Sequence, residues 1–300
     1  LALFGYFGSM AGILRRRLRI TAWRFGQCRT NLFIHVHSIL PESWVHWNPG
    51  WEVRPIARAD LGSLLGELLP EYEVIRLSFV RLAMRFGDFS GVPPAPEADL
   101  LRLLLLSLHG GVWADATMVC RRPLDDWLPA AAASGFFAFA PEDNADTTRL
   151  LAPGELQPQL LPVSNSFLAS APRHVITTRW LEAIWAHWQD PGSSPEALGD
   201  FHFAYLFGDA VDSAPPGDAA RSAWSLVPRR AAAYGAEGSP LYFVPYAERL
   251  FAPGCPPELR RAIHSDRETP MWKLTNHGPA DEDVPWDSCL GYLLRESQVG

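Results

Sequence analysis

The run Ala98-Asp99-Leu100-Leu101-Arg102-Leu103-Leu104-Leu105-Leu106-Ser107-Leu108-His109-Gly110-Gly111-Val112-Trp113-Ala114-Asp115-Ala116-Thr117 decides how this chain folds. From Glu97 to His109 the apolar stretch is too long for a strand and reads as a helix. Pro93, Pro94 and Pro96 precede it and Gly110-Gly111 follow it, the expected punctuation for a start and a stop. Val112 to Ala114 then reads as a short buried strand that ends on Asp115. Asp99 and Arg102 lie three apart, hence on one helical face, and are the only charges between Ala98 and Leu108. By themselves they suit an ion pair near the start of a buried helix, with Asp99 favoured by the helix dipole. The position of Asp115 adds a second reading. Open α/β sheets bind ligands outside the carboxyl ends of their strands. A carboxylate there can hold a hard divalent cation whose remaining ligands are waters and substrate phosphates.

Working outward, Asn31 to Val36 reads as a strand, and Trp51 to Ile56 as a second one after the Asn48-Pro49-Gly50 turn. Helices are expected over 59–69, 73–84, 176–188 and 199–208. Phe136 to Ala140 reads as a central strand. Residues 87–96 and 141–161 read as loops, and 209–222 as a flexible surface loop. Trp180, Trp185 and Trp188 on one helix read mainly as packing, and Asp125 and Asp126 as a solvated loop or cap. Strands alternating with helices give an α/β fold with a mainly parallel central sheet. Three organisational units follow: a basic and apolar segment 1–30, a main domain 31–278, and a C-terminal tail 279–300.

Composition removes several classes. The chain has 300 residues, 48% of them hydrophobic and 12% aromatic, which excludes intrinsic disorder. The formal charge is −7, and residues 1–41 hold six arginines and no acid, so the rest carries −13. That balance argues against nucleic acid as a partner. No apolar run reaches the roughly 18 residues of a membrane span. Residues 1–20, apolar and then rich in arginine, are a candidate for peripheral association with a membrane surface. Cys28, Cys120, Cys255 and Cys289 are widely spaced and read as buried free thiols. Of the 26 basic residues 25 are arginine, and the one lysine is Lys273.

The 98–117 run and its continuation Arg122-Pro123-Leu124-Asp125-Asp126-Trp127 resemble the sugar transferases with a DXD-type motif, in particular the capsular polysaccharide synthesis proteins. Weaker likenesses flank it: Pro41-Glu42-Ser43-Trp44 with Asn48-Pro49-Gly50-Trp51-Glu52-Val53, Ser164 to Ser170, Asp200-Phe201-His202-Phe203, and Trp272-Lys273-Leu274-Thr275. Together they cover roughly residues 32–277.

The resemblance implies a GT-A-like, Rossmann-type three-layer sandwich in a single domain with a small C-terminal extension. It implies a retaining glycosyltransferase that moves a hexose from a UDP- or GDP-type sugar to a glycan or lipid-linked glycan, with Mn²⁺ or Mg²⁺ as cofactor. The location implied is cytoplasmic, or the Golgi lumen in a eukaryote. Carried over residue by residue, Asp99, Arg102, Gly111, Asp115, Thr117 and Lys273 would bind the donor. Asn165, Asp200 and His202 would face the acceptor sugar. Asp115 and Thr117 would be metal ligands; from the residues alone, His277, like His202, reads as a ligand, an acid/base or an ordinary surface or core histidine. Thr117 stands where the motif has its second carboxylate, and the first strand is poorly matched. No residue is readable as a catalytic nucleophile or base. Two other readings compete: a catalytically silent nucleotide-sugar-binding scaffold, and a glycoside hydrolase with paired carboxylates, for which neither acidic pair is well placed.

Overall fold

The leucine-rich helix and the strand after it organise everything around them. The computed structural model describes residues 32–35, 41–56, 58–85, 94–115, 118–140, 162–189, 202–228, 253–257, 260, 261, 264, 270–273, 285–289, 291 and 292. The chain enters as β1 (Leu32–His35), turns through α1 (Pro41–Trp47) and returns as β2 (Val53–Ile56). Helices α2 (Leu61–Leu65) and α3 (Leu69–Arg85) follow, then α4 (Pro94–His109), β3 (Gly111–Ala114) and β4 (Met118–Cys120). The short α5 (Leu128–Ala131) leads into β5 (Phe136–Ala138), and β6 (Phe167–Ser170) precedes α6 (Val175–Gln189). Helix α7 (His202–Phe207), a π-helical turn at Gly208–Asp212, α8 (Ala219–Trp224) and β7 (Met271–Lys273) complete the order.

Five strands form one mixed sheet in the order β2-β1-β3-β6-β5. β1 runs parallel to β2 and to β3, while β6 runs against both β3 and β5. The parallel part is what a strand-helix-strand alternation dictates; the reversed β6 is a feature that alternation does not announce. Helix α4 packs on β3 and β6 and is flanked by α2, α3 and α6. Leu100, Leu101 and Leu103 to Leu106 are buried all round the helix, so each contributes roughly 1.5–3 kcal/mol of transfer free energy. Gly110 ends the helix at φ 67° and its N–H closes on the Leu106 carbonyl at 2.9 Å, an αL cap that a Cβ would make costly.

Phe136 to Ala138 lies at the end of the described sheet, not in its middle as expected. A run with no polar residue requires cover on both faces, not a neighbour on both edges. Here Phe136 meets His174 and Trp224 on one side, and Phe137 meets Trp127 and Phe167 on the other. The segment 209–222 is also corrected: the π-helical turn and the start of α8 occupy its two ends, and only 213–218 between them is turn. Asp218 caps α8 by accepting from Ala220 N–H at 2.8 Å, and Trp224 Nε1 donates to Asp212 at 2.8 Å.

A second, two-stranded sheet pairs β4 with β7 antiparallel, Met118 opposite Lys273 and Cys120 opposite Met271. Helix α1 grips β4 from the other side. Trp44 Nε1 donates to the Met118 carbonyl at 2.9 Å, Cys120 N–H donates to Ser43 Oγ at 3.2 Å, and Asn48 accepts from Leu124 N–H at 2.7 Å. The cysteine expectation fails at one pair: Cys255 and Cys289 form a disulfide. Nothing in their 34-residue separation announced it. Cys120 is a buried free thiol, as read, and burial pushes its pKa up to about 12. Cys28 lies outside the described residues, as does the arginine-rich segment 1–20. Among the described residues no helix is long and apolar enough to cross a membrane.

Candidate functional site

Helix α4 and strand β3 bring Asp99, Arg102, Trp113 and Asp115 together, and the turn before β6 adds Asn165. Arg102 stands at the centre. Its guanidinium holds Asp99 Oδ1 at 2.7 Å, reaches Asp115 Oδ1 at 3.3 Å, and donates to the Asn165 carbonyl. Its face lies over the Trp113 ring, 5.2 Å from the centroid, a contact worth about 0.5–2 kcal/mol. Asn165 Nδ2 donates to Asp99 Oδ1 at 2.7 Å and Trp113 Nε1 donates to Asp115 Oδ1 at 2.9 Å. The backbone of Asp115 is fixed too: its N–H donates to the Ser166 carbonyl at 2.8 Å and its carbonyl accepts from Met118 N–H at 2.9 Å.

Burial grades the cluster. The side chains of Arg102 and Asp99 are 5% and 9% exposed, that of Asp115 24%. Asp99 and Arg102 therefore form a buried base, and Asp115 is the member that faces outward. Two carboxylates and one guanidinium sum to −1, and the outward oxygen-bearing member suits a hard cation. Among the described residues no three His, Cys, Asp or Glu side chains converge on a metal-sized site.

The remaining expectations are distributed unevenly. Lys273 is brought in by backbone register, opposite Met118 and so just past Asp115-Ala116-Thr117. Gly111 is not brought in: it starts β3 at φ 102°, opposite Ser170. Three strand residues separate it from Asp115, a span of roughly 13 Å of extended chain. Asn165 has its amide nitrogen committed to Asp99, which sequence reasoning did not foresee. Trp113 is fully buried, as the reading of 112–114 as a buried strand requires, and its Nε1 also orients Asp115. Thr117, Asp200 and His277 lie outside the described residues; His202 begins α7. Ser43, Trp44 and Asn48, a family likeness and a turn in the sequence, hold β4 and the segment after it in the structure. Their role in holding β4 is visible in the sequence only as the Ser-Trp…Asn-Pro-Gly turn.

These features define a mixed α/β protein with a supported carboxylate at the carboxyl end of a sheet strand. Over residues 87–214 the chain matches the family described as capsular polysaccharide synthesis protein, and the resemblance drawn from the 98–127 motifs is borne out over that segment. No curated protein matches the sequence. Among solved structures the chain is similar to one named "PaToxG Glycosyltransferase", at 12% identity and a TM-score of 0.36, covering 90% of this chain and 86% of that one.

Proposed function

We propose that this chain is a glycosyltransferase with a GT-A-like, Rossmann-type domain, moving a hexose from a nucleotide-diphospho-sugar to a glycan or lipid-linked glycan. The observation that carries the reading is Asp115, partly exposed at the end of β3 and held from behind by Arg102 and Trp113 within the segment that matches the capsular family.

In this reading Asp115 presents one oxygen ligand to a divalent cation, and Thr117 and His277 are proposed as its companions. The cation, when bound, supplies electrostatic stabilisation to the departing diphosphate. Arg102 acts as a positioning residue: its rigid fork sets the Asp115 carboxylate while the Asp99–Asn165 contact sets the fork. Lys273, whose backbone pairs with Met118, is proposed as the compact positive charge that meets the diphosphate. The acceptor hydroxyl attacks the anomeric carbon on the face the leaving group departs from. Its proton passes to the leaving phosphate oxygen, which gives retention without a protein nucleophile. Asp200 and His202 are proposed on the acceptor side.

Thermal-shift titration with UDP- and GDP-sugars, with and without Mn²⁺, tests this on wild type and Asp115→Ala. Stabilisation by at least one nucleotide, lost in the variant, is expected. No stabilisation by any nucleotide sinks the proposal. Binding without turnover on any donor and acceptor moves the chain to the scaffold reading.

A further inference from the structure

The bond between Cys255 and Cys289 closes a 34-residue stretch of chain, and β7 lies inside that stretch. The β7 strand is three residues long, too short to hold its place by its own ladder. Its register nevertheless sets Met271, Trp272 and Lys273 against Cys120, Val119 and Met118, and Arg121 N–H reaches the Pro270 carbonyl at 3.0 Å. The partner strand β4 is fixed independently by Trp44 and Ser43 of α1. One side of this small sheet is thus anchored by hydrogen bonds to α1, and the other belongs to a segment closed by a covalent bond. Both bonded cysteines are buried, at 3% and 0% exposure, and Cys255 N–H donates to the Asp287 carbonyl at 2.8 Å, tying the two ends of the stretch again.

We infer that the Cys255–Cys289 disulfide is a redox-dependent tether that keeps β7, and with it Lys273, docked beside the Asp115 end of the site. Closing the stretch removes conformations from the undocked chain, so the three-residue ladder forms at a lower entropic cost. A dithiol reductant opens the tether by donating two electrons and two protons. The S–S bond becomes two thiols and the reductant becomes a disulfide. Cys120, though it sits in the same ladder, does not enter the exchange, because burial keeps it a thiol and only thiolates attack. Disulfides of this kind persist in oxidising compartments, so the docked form is the form of the chain outside a reducing cytosol. The functional half of the inference rests on Lys273 contacting the donor; the tether itself does not.

Hydrogen exchange on the full chain separates the two halves. The unreduced protein is compared with dithiothreitol-treated protein and with the C255A/C289A double variant. Amides of 118–120 and 271–273 are expected to exchange roughly a hundredfold faster without the bond, while those of Val112 to Ala114 keep their protection. Unchanged exchange in the small sheet overturns the tether. Equal acceleration at Val112 to Ala114 also overturns it, since the bond then supports the whole fold. A non-reduced digest in which 255 and 289 are found as separate alkylated cysteines removes its basis. For the functional half, UDP and GDP with Mn²⁺ serve as probes. Their affinity is expected to drop about tenfold on reduction and no further in a reduced Lys273→Ala variant. If neither nucleotide binds the oxidised chain, the proposed function fails, and the exchange data still decide the tether.

Discussion

Arg102 serves two carboxylates of unequal burial, and substitution at each should produce a different signature. Replacing Arg102 by Leu leaves Asp99 buried beside Asn165 without its cation; the expected loss is about 3–5 kcal/mol in urea unfolding. Arg102→Lys keeps the charge but cannot bridge Asp99, Asp115 and the Asn165 carbonyl together. It should retain most of the stability while weakening nucleotide binding. Asp115→Asn keeps an acceptor for Trp113 Nε1 and sits at the more exposed end of the cluster. Its stability should stay within about 1 kcal/mol of wild type, with the nucleotide-dependent thermal shift abolished. A large fall in stability for Asp115→Asn would mark the carboxylate as structural. The residue types of this cluster were legible in the sequence because Asp99 and Arg102 were isolated charges among leucines. The pairing of Asn165 with Asp99 was not, since 66 residues separate the two and only the strand β6 brings them together.

At the scale of elements, the helix-glycine-strand unit was readable from its punctuation, whereas β4, β6 and β7 were not. Their three or four residues are too few to show a period, and β6 is buried throughout, so alternation is missing. Which strands neighbour each other is decided by packing at a distance. Two junctions are testable. At Gly110 an added Cβ would meet Pro172 at 2.5 Å with φ at 67°, so Gly110→Ala should cost more than 2 kcal/mol in urea unfolding, about the level expected of strain plus a clash. At the start of α6, His174 Nε2 pairs with the Ser134 carbonyl at 3.0 Å and Nδ1 accepts from Ile176 N–H at 3.3 Å, the bonds of a neutral ring. Burial lowers the His174 pKa, against a smaller opposing effect of the Ser134 bond. A depressed histidine pKa means the unfolded chain binds the proton more readily. Its contribution is therefore complete above the unfolded value of about 6.5 and declines as pH falls below it toward the folded value, at up to about 1.4 kcal/mol per pH unit. Urea midpoints measured from pH 7.5 to 5 should fall in wild type and fall less in His174→Gln; parallel curves would remove His174 as the cause.

Across the whole molecule, the α/β class followed from the order of elements, while the reversed β6 and the disulfide required the structure. Four cysteines allow several pairings and spacing alone selects none. The reversed β6 also has a consequence for how such a molecule diversifies. Because β5 and β6 are adjacent and antiparallel, the chain leaves the sheet after Ala138 and returns at Phe167, beside Ala114 and hence at the Asp115 end. The base of this excursion is pinned by Ser164 N–H donating to the Phe139 carbonyl at 2.7 Å. Exit and re-entry thus share one hydrogen-bonded gatepost, Ser164 against Phe139, outside both ladders. The ladders at the Asp115 end are thus held in register by residues outside 141–161. Swapping residues 141–161 for a short Gly-Ser linker should leave the unfolding midpoint within a few degrees and the nucleotide shift intact while changing acceptor choice.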